Sequence, residues 1–214
     1  MKLLVYGDHT NVLWHPVKGL QPWIASLQAA GHQVTVTEDY PSVTLELLRT
    51  FDVCINYIDN WANRGSKEAE EVFCRYIAEG GRILSIHSGI IVKGAEKLLD
   101  IHGAAFHHHP EAEEITFVPD DAAEGEQKIL LDGFSSFSIK EEPYMFDLRE
   151  TPKKVYLWYD YRGERYPAAW AVKHGTGELV YIAPGHEARV VQEEQVQRLY
   201  NNALTYLTRQ REKE

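Results

Sequence analysis

The chain has 214 residues, with 44% hydrophobic and 25% charged residues and a formal net charge of −10. That length fits a single domain over residues 1–214, and the acid excess excludes a surface that tracks nucleic-acid phosphates. The opening run Met1-Lys2-Leu3-Leu4-Val5-Tyr6-Gly7 is too short an apolar stretch for a signal peptide or a membrane span, so a cytoplasmic protein with no membrane partner is expected.

Taken in chain order, Leu3–Tyr6 reads as a buried strand. A helix follows over Pro16–Ala30, with Pro16 in its first turn and Gly31 as its stop. Val34–Val36 is a second strand, Thr44–Arg49 a short helix and Val53–Tyr57 a third strand. Ser66 is placed to cap a helix whose apolar residues Ala69, Val72, Phe73, Tyr76 and Ile77 follow the 3.6-residue period. Gly80-Gly81 ends it, and Arg82–Ile86 is a fourth strand. Strands apolar on both faces with helices between them indicate a parallel sheet covered on both sides. Beyond His87 the pattern predicts a helix over Ala95–Asp100 and strands over Ile115–Val118, Ile129–Leu131 and Val155–Tyr161. Two more, Tyr166–Lys173 and Leu179–Ala183, are joined by the turn His174-Gly175-Thr176-Gly177. A last helix covers Glu193–Arg209, and the tail from Arg209 to Glu214 reads as a frayed, solvated end. The second half is therefore expected to be more antiparallel than the first. Cys54 and Cys74 fit a reducing compartment and read as core residues.

The ten histidines do not scatter evenly. His9 and His15 follow the first strand, His87 the fourth, and His186 the strand Leu179–Ala183. In an open α/β sheet such strand ends form the ligand crevice, so separate stretches of sequence can meet there. Glu141-Glu142-Pro143-Tyr144 offers carboxylates that beside histidines can ligate a metal or act as a base. Histidine and glutamate with an open position suit a divalent ion, zinc first. In Phe106-His107-His108-His109-Pro110, consecutive imidazoles point apart, so at most one or two can serve one ion. No Gly-rich phosphate loop is present, and no nucleotide cofactor is expected.

Four segments together resemble the ThuA-like, or trehalose-utilization, family. They are Gly80-Gly81-Arg82-Ile83-Leu84-Ser85-Ile86-His87-Ser88-Gly89, Gly103-Ala104-Ala105-Phe106-His107-His108-His109-Pro110, Glu141-Glu142-Pro143-Tyr144, and Gly177 to Glu187 followed by Asn202-Ala203. The resemblance implies a flavodoxin-like, class I glutamine amidotransferase-like three-layer α/β sandwich, a parallel sheet with antiparallel additions. It also implies a histidine shortly before the first helix, a place that His15 fits better than His9. Amidotransferases need a cysteine at the strand-to-helix elbow; here the elbow reads Ile86-His87-Ser88-Gly89, which excludes thiol-dependent glutaminase chemistry.

The function implied is processing of a sugar or keto-sugar by metal-assisted or acid–base chemistry, as a hydrolase, lyase or isomerase. The alternative is a non-catalytic sugar-binding or regulatory domain on the same scaffold. His15, Glu142 and His186 are the expected metal ligands, and His87, Glu142 and His186 the expected catalytic groups. Tyr57, Trp61, Ser88, His109, Glu141 and Tyr144 are the expected substrate contacts, Tyr57 and Trp61 being preferred among the aromatics because they follow the third strand. Phe134, Phe137 and Tyr144 are candidates for a homo-oligomer interface.

Overall fold

The computed structural model describes residues 1–209. In chain order the first half contains β1 (Lys2–Gly7), a 3-10 turn at Val17–Leu20, α1 (Gln21–Ala29), β2 (Gln33–Thr37), α2 (Leu45–Leu48), β3 (Val53–Tyr57), α3 (Trp61–Arg64), α4 (Lys67–Ala78) and β4 (Arg82–Ile86). A 3-10 turn at His87–Ile90 leads to α5 (Glu96–His102), β5 (Ala104–His108), β6 (Glu113–Pro119), α6 (Gln127–Leu130), β7 (Phe137–Glu141) and β8 (Met145–Leu148). The chain then forms β9 (Lys153–Tyr161), β10 (Glu164–His174), β11 (Gly177–Ile182), α7 (Ala188–Val191) and α8 (Glu194–Thr208).

Nine strands form one sheet in the order β2-β1-β3-β4-β11-β10-β9-β6-β7. Pairing is parallel from β2 to β11 and antiparallel from β11 to β7. A separate antiparallel pair joins β5 to β8. Successive side chains of a strand point to opposite faces, and β1 is apolar on both. Leu3 and Val5 enter one core with α1 and α8; Leu4 and Tyr6 enter the other with α2, α4 and α5. The result is a mixed α/β fold with helices on both faces of the sheet.

The helix cap expected at Ser66 forms, and Thr44, not singled out as a cap from sequence, plays the same part for α2. Thr44 accepts from the Leu47 N–H at 3.2 Å, and Ser66 from the Ala69 N–H at 3.0 Å. Other details differ. The helix expected from Pro16 is a 3-10 turn followed by α1, because Pro22, in the first turn of α1, resets the start. The strand expected at Ile129–Leu131 is instead part of α6, since a short apolar run carries no period to separate strand from helix. Cys54 is core, but Cys74 is only half-buried. Tyr144 is buried, and Phe134 and Phe137 are half-buried and pack against the core. Residues 210–214 of the expected frayed tail lie outside the described residues. Arg209, within them, is not free: its guanidinium lies 2.9 Å from the Glu178 carboxylate and over the Tyr206 ring.

Candidate functional site

The chain passes from β1 through α1 to β2 on one side, then returns to β3 on the other side of β1. Such a reversal opens a crevice at the carboxyl ends of the strands, and the candidate residues lie there, beyond β1, β3, β4 and β11. One ligating atom each from His15, His87, Glu142 and His186 lies within 4.8 Å of the others. The His15 ring centroid is 4.8 Å from that of His87 and 5.1 Å from that of His186. His9 is not part of this cluster; it sits outside, beside Glu38.

Each donor is oriented from behind. The buried Asp59 carboxylate accepts the His15 Nδ1–H at 2.8 Å, which turns Nε2 toward the centre, and the Tyr144 hydroxyl lies 3.4 Å from that nitrogen. Asp59 also accepts the backbone N–H groups of Leu13, Trp14 and His15. Burial pushes its carboxyl up, but these hydrogen bonds outweigh burial and bring it down to about 2. The Asp59 and Asn60 N–H groups in turn donate to Asp8, at 2.7 and 3.0 Å.

His87 donates Nδ1–H to the Ala183 carbonyl at 2.8 Å, which fixes its Nε2 lone pair toward the cluster. It is 0% exposed, and burial, only partly offset by Glu142, pushes it down to about 4. Its φ of +45° puts a non-glycine residue in the left-handed region, so the strand-to-turn elbow is strained at His87 itself. Gly89 follows, where a Cβ would overlap the Asn56 carbonyl and the Ser85 hydroxyl. Ser88 does not face the cluster: it is buried, and its hydroxyl lies 3.4 Å from the Tyr57 carbonyl.

Glu141 and Glu142 divide the work because neighbouring residues of a strand end point apart. Glu142 Oε2 lies 3.1 Å from His186 Nδ1, 3.4 Å from His87 Nε2 and 3.7 Å from His109 Nε2. Burial raises the Glu142 carboxyl, but His186 and His87 beside it hold it well below the usual carboxylate range, and His186 is raised in return by Glu142. Glu141 is 1% exposed and faces the other way. It accepts the Glu142 N–H at 2.7 Å, the Gly185 N–H at 2.9 Å and the His186 N–H at 3.2 Å. Burial raises its carboxyl and these N–H groups partly offset that. It clamps the segment carrying Glu142 to the segment carrying His186, with its carboxylate turned away from the donor cluster.

Of the other expected contacts, Tyr144 and His109 stack at 5.6 Å and line a cleft of about 550 Å³ together with Trp14, Ile91 and Phe106. Tyr57 is buried, its hydroxyl donating to the Gly185 carbonyl at 2.8 Å, so it holds the turn that carries His186. Trp61 is 4% exposed and stacked on Tyr40, a core side chain away from the cleft. Sequence reasoning missed Asp8, Asp59 and the cleft position of Trp14. The one available signal was that both aspartates, like the histidines, follow parallel strands directly.

The loop after β1 has a second anchor in Glu38. It accepts the His9 and Thr10 N–H groups at 3.0 and 2.9 Å and the Thr10 hydroxyl. Burial pushes the Glu38 carboxyl up, but these hydrogen bonds prevail and bring it down to about 2. A depressed carboxyl stabilises the fold fully above its unfolded value of about 4.3, and that stability is lost as pH falls toward 2. Urea unfolding should therefore show a larger loss between pH 6 and pH 3 in wild type than in Glu38→Gln; parallel losses would refute this.

The buried atoms His87 Nε2, Glu142 Oε2 and His186 Nδ1 face the centre, where their polar neighbours are one another, at 3.1 and 3.4 Å, and none makes a well-directed hydrogen bond. Buried polar atoms crowded together without directed hydrogen bonds ask for an explanation such as an ion. Three imidazoles and a carboxylate, with His15 backed by a carboxylate and His87 by a carbonyl, fit a divalent metal.

Residues 2–207 match the family model ThuA, trehalose utilisation. No curated protein matches the sequence. Among solved structures, a ThuA-like protein from Bacteroides uniformis superposes with a TM-score of 0.76 at 16% identity, covering 96% of this chain and 90% of that one. A cytoplasmic protein from Salmonella typhimurium gives 0.67 at 16%, covering 97% and 99%. A β-galactosidase from Rahnella sp. R3 gives 0.66 at 14%, covering 95% of this chain but 30% of its own. At such identities the structural likeness speaks to the fold. The family-model match spans nearly the whole sequence, and the chain belongs to the ThuA, trehalose-utilisation, family.

Proposed function

We propose that the protein is a metal-assisted enzyme acting on a sugar or keto-sugar, built on a flavodoxin-like, amidotransferase-like scaffold in the cytoplasm. The observation that carries the reading is the convergence of His15, His87, Glu142 and His186, whose three inward atoms His87 Nε2, Glu142 Oε2 and His186 Nδ1 make no well-directed hydrogen bond. These four residues would hold the ion, zinc being the first choice for nitrogen and carboxylate donors. When bound, it would polarise a carbonyl or hydroxyl oxygen of the sugar.

The chain's own residues divide the remaining tasks. His87 was expected as an acid or base. Its full burial and depressed proton affinity leave it neutral, with Nε2 as a lone-pair donor, which suits ligation and gives it no proton to deliver. His109 is the better proton carrier. It is exposed on the cleft wall, stacked on Tyr144 and beside Glu142. Tyr144, with its hydroxyl near His15, closes the apolar side and keeps water from the donors.

The test is zinc content and turnover of 3-keto-glucosides by wild type and His109→Ala. Removing a positioned acid–base group costs about 10²–10⁴-fold in rate, so the variant should keep its zinc and lose turnover on that scale. Full activity in His109→Ala would remove it from the mechanism; wild type with neither zinc nor turnover would favour a second reading. That reading is a non-catalytic sugar-binding or regulatory domain, and it draws on the β-galactosidase in which this fold matches 30% of the chain.

A further inference from the structure

Among the five tryptophans, Trp14 stands apart. It is 77% exposed, whereas Trp23, Trp61 and Trp170 are buried and Trp158 is half-buried. A large apolar side chain left in water is the informative kind of exception. Its display does not come from a slack loop. The N–H groups of Leu13, Trp14 and His15 all donate to the buried Asp59 carboxylate, Leu13 at 2.9 Å and His15 at 3.0 Å. Asp59 is itself tied through its own N–H to the buried Asp8. Among the described residues the Trp14 indole stacks on no ring, and its Nε1–H donates no hydrogen bond. A backbone held this firmly, carrying an aromatic face with no partner, is a prepared surface.

The location narrows what that surface serves. Trp14 lines the cleft of about 550 Å³ that also holds His15, Glu142 and His186, and it directly precedes the donor His15. A ligand that reaches the four donors and also covers the indole must carry oxygen atoms along one edge and an apolar face beside them. A pyranose ring has this form, with hydroxyls on its rim and axial C–H bonds across one face. Pockets of this size typically pair an apolar wall with a few orienting polar groups.

We propose that Trp14 is the stacking platform of a sugar-ring subsite, its indole covering the C–H face of the ring whose oxygens point at the His15–His87–Glu142–His186 cluster. The assignment rests on the sugar reading above and adds the residue and the binding mode. Because the Asp59 carboxylate fixes Trp14 and His15 together, the ring face and the donor set are held in register by one group.

Zinc-loaded wild type, Trp14→Phe and Trp14→Ala should be titrated with glucose and with trehalose while tryptophan emission is recorded, and separately by calorimetry. Trp14 is the one largely exposed indole, so wild type should show a saturable emission change that both variants lack. Trp14→Ala should bind the sugars about tenfold more weakly, equivalent to about 1.4 kcal/mol, with Trp14→Phe between the two. Zinc stoichiometry and thermal midpoint should be unchanged in both. Equal affinity in wild type and Trp14→Ala, with zinc bound, overturns the platform and leaves the metal reading standing. A response to benzoate but to neither sugar overturns the sugar assignment. Protein that holds no zinc and binds no sugar defeats both this inference and the reading beneath it.

Discussion

Glu142→Ala protein is expected to leave equilibrium dialysis against zinc essentially metal-free under conditions in which wild type retains one ion per chain. Glu142 is the one carboxylate of the donor cluster, with Oε2 3.1 Å from His186 and 3.4 Å from His87. Removing a group behind a ligand already costs about 10–100-fold in metal affinity, so removing this ligand should exceed about 100-fold. Loss of the Glu142 carboxylate should not unfold the protein, because the Glu141 clamp behind it remains. His186→Ala should behave alike. A Glu142→Ala variant that retains zinc as tightly as wild type would show that the cluster is not the ligand set.

Glu141→Ala should produce the largest loss of stability of any single change at this site. Glu141 is almost fully buried and accepts three backbone N–H groups that have no other acceptor among the described hydrogen bonds. Each buried donor left unsatisfied costs about 1–3 kcal/mol, so the variant should lose at least about 3 kcal/mol in urea unfolding. Because the clamp joins the segments of Glu142 and His186, zinc affinity should fall by about 10–100-fold in whatever fraction stays folded. The Pro184-Gly185-His186 turn depends on it further: Gly185 has φ +154°, and a Cβ there would meet the Tyr200 hydroxyl. Glu141→Gln keeps the size but aims an amide N–H₂ at the same donors, so it should recover only part of the loss. Full stability in Glu141→Ala would contradict the clamp.

How much of this was legible in the sequence follows from what each signal encodes. The parallel strands were readable because both faces are buried, so Val53–Tyr57 and Arg82–Ile86 appear as mostly apolar runs. The metal candidates were readable for a related reason: polar residues placed directly after such runs land at one end of the sheet. His15 and His186 could be picked this way as ligands, and His87 as a site residue, though it was expected as an acid–base group and not as a ligand. Their partners could not. Asp8 and Asp59 look like ordinary loop acids, and only the folded chain shows both buried and accepting backbone N–H groups. Glu142 was the expected ligand and does join the imidazoles, but the clamp made by its neighbour Glu141 was not legible, because it depends on how β7 ends. Trp61 and Trp14 each follow a strand, and only tertiary packing decides that one stacks on Tyr40 in the core and the other stands at the cleft. The stretch at Ile129–Leu131 was too short to distinguish strand from helix.

The most direct test of a shared metal centre is anomalous scattering from crystals grown with zinc, collected on both sides of the zinc absorption edge. A single peak lying between His15 Nε2, His87 Nε2, Glu142 Oε2 and His186 Nδ1 is the predicted result. A density map with those four side chains well ordered and the peak absent, or found elsewhere on the molecule, would contradict it.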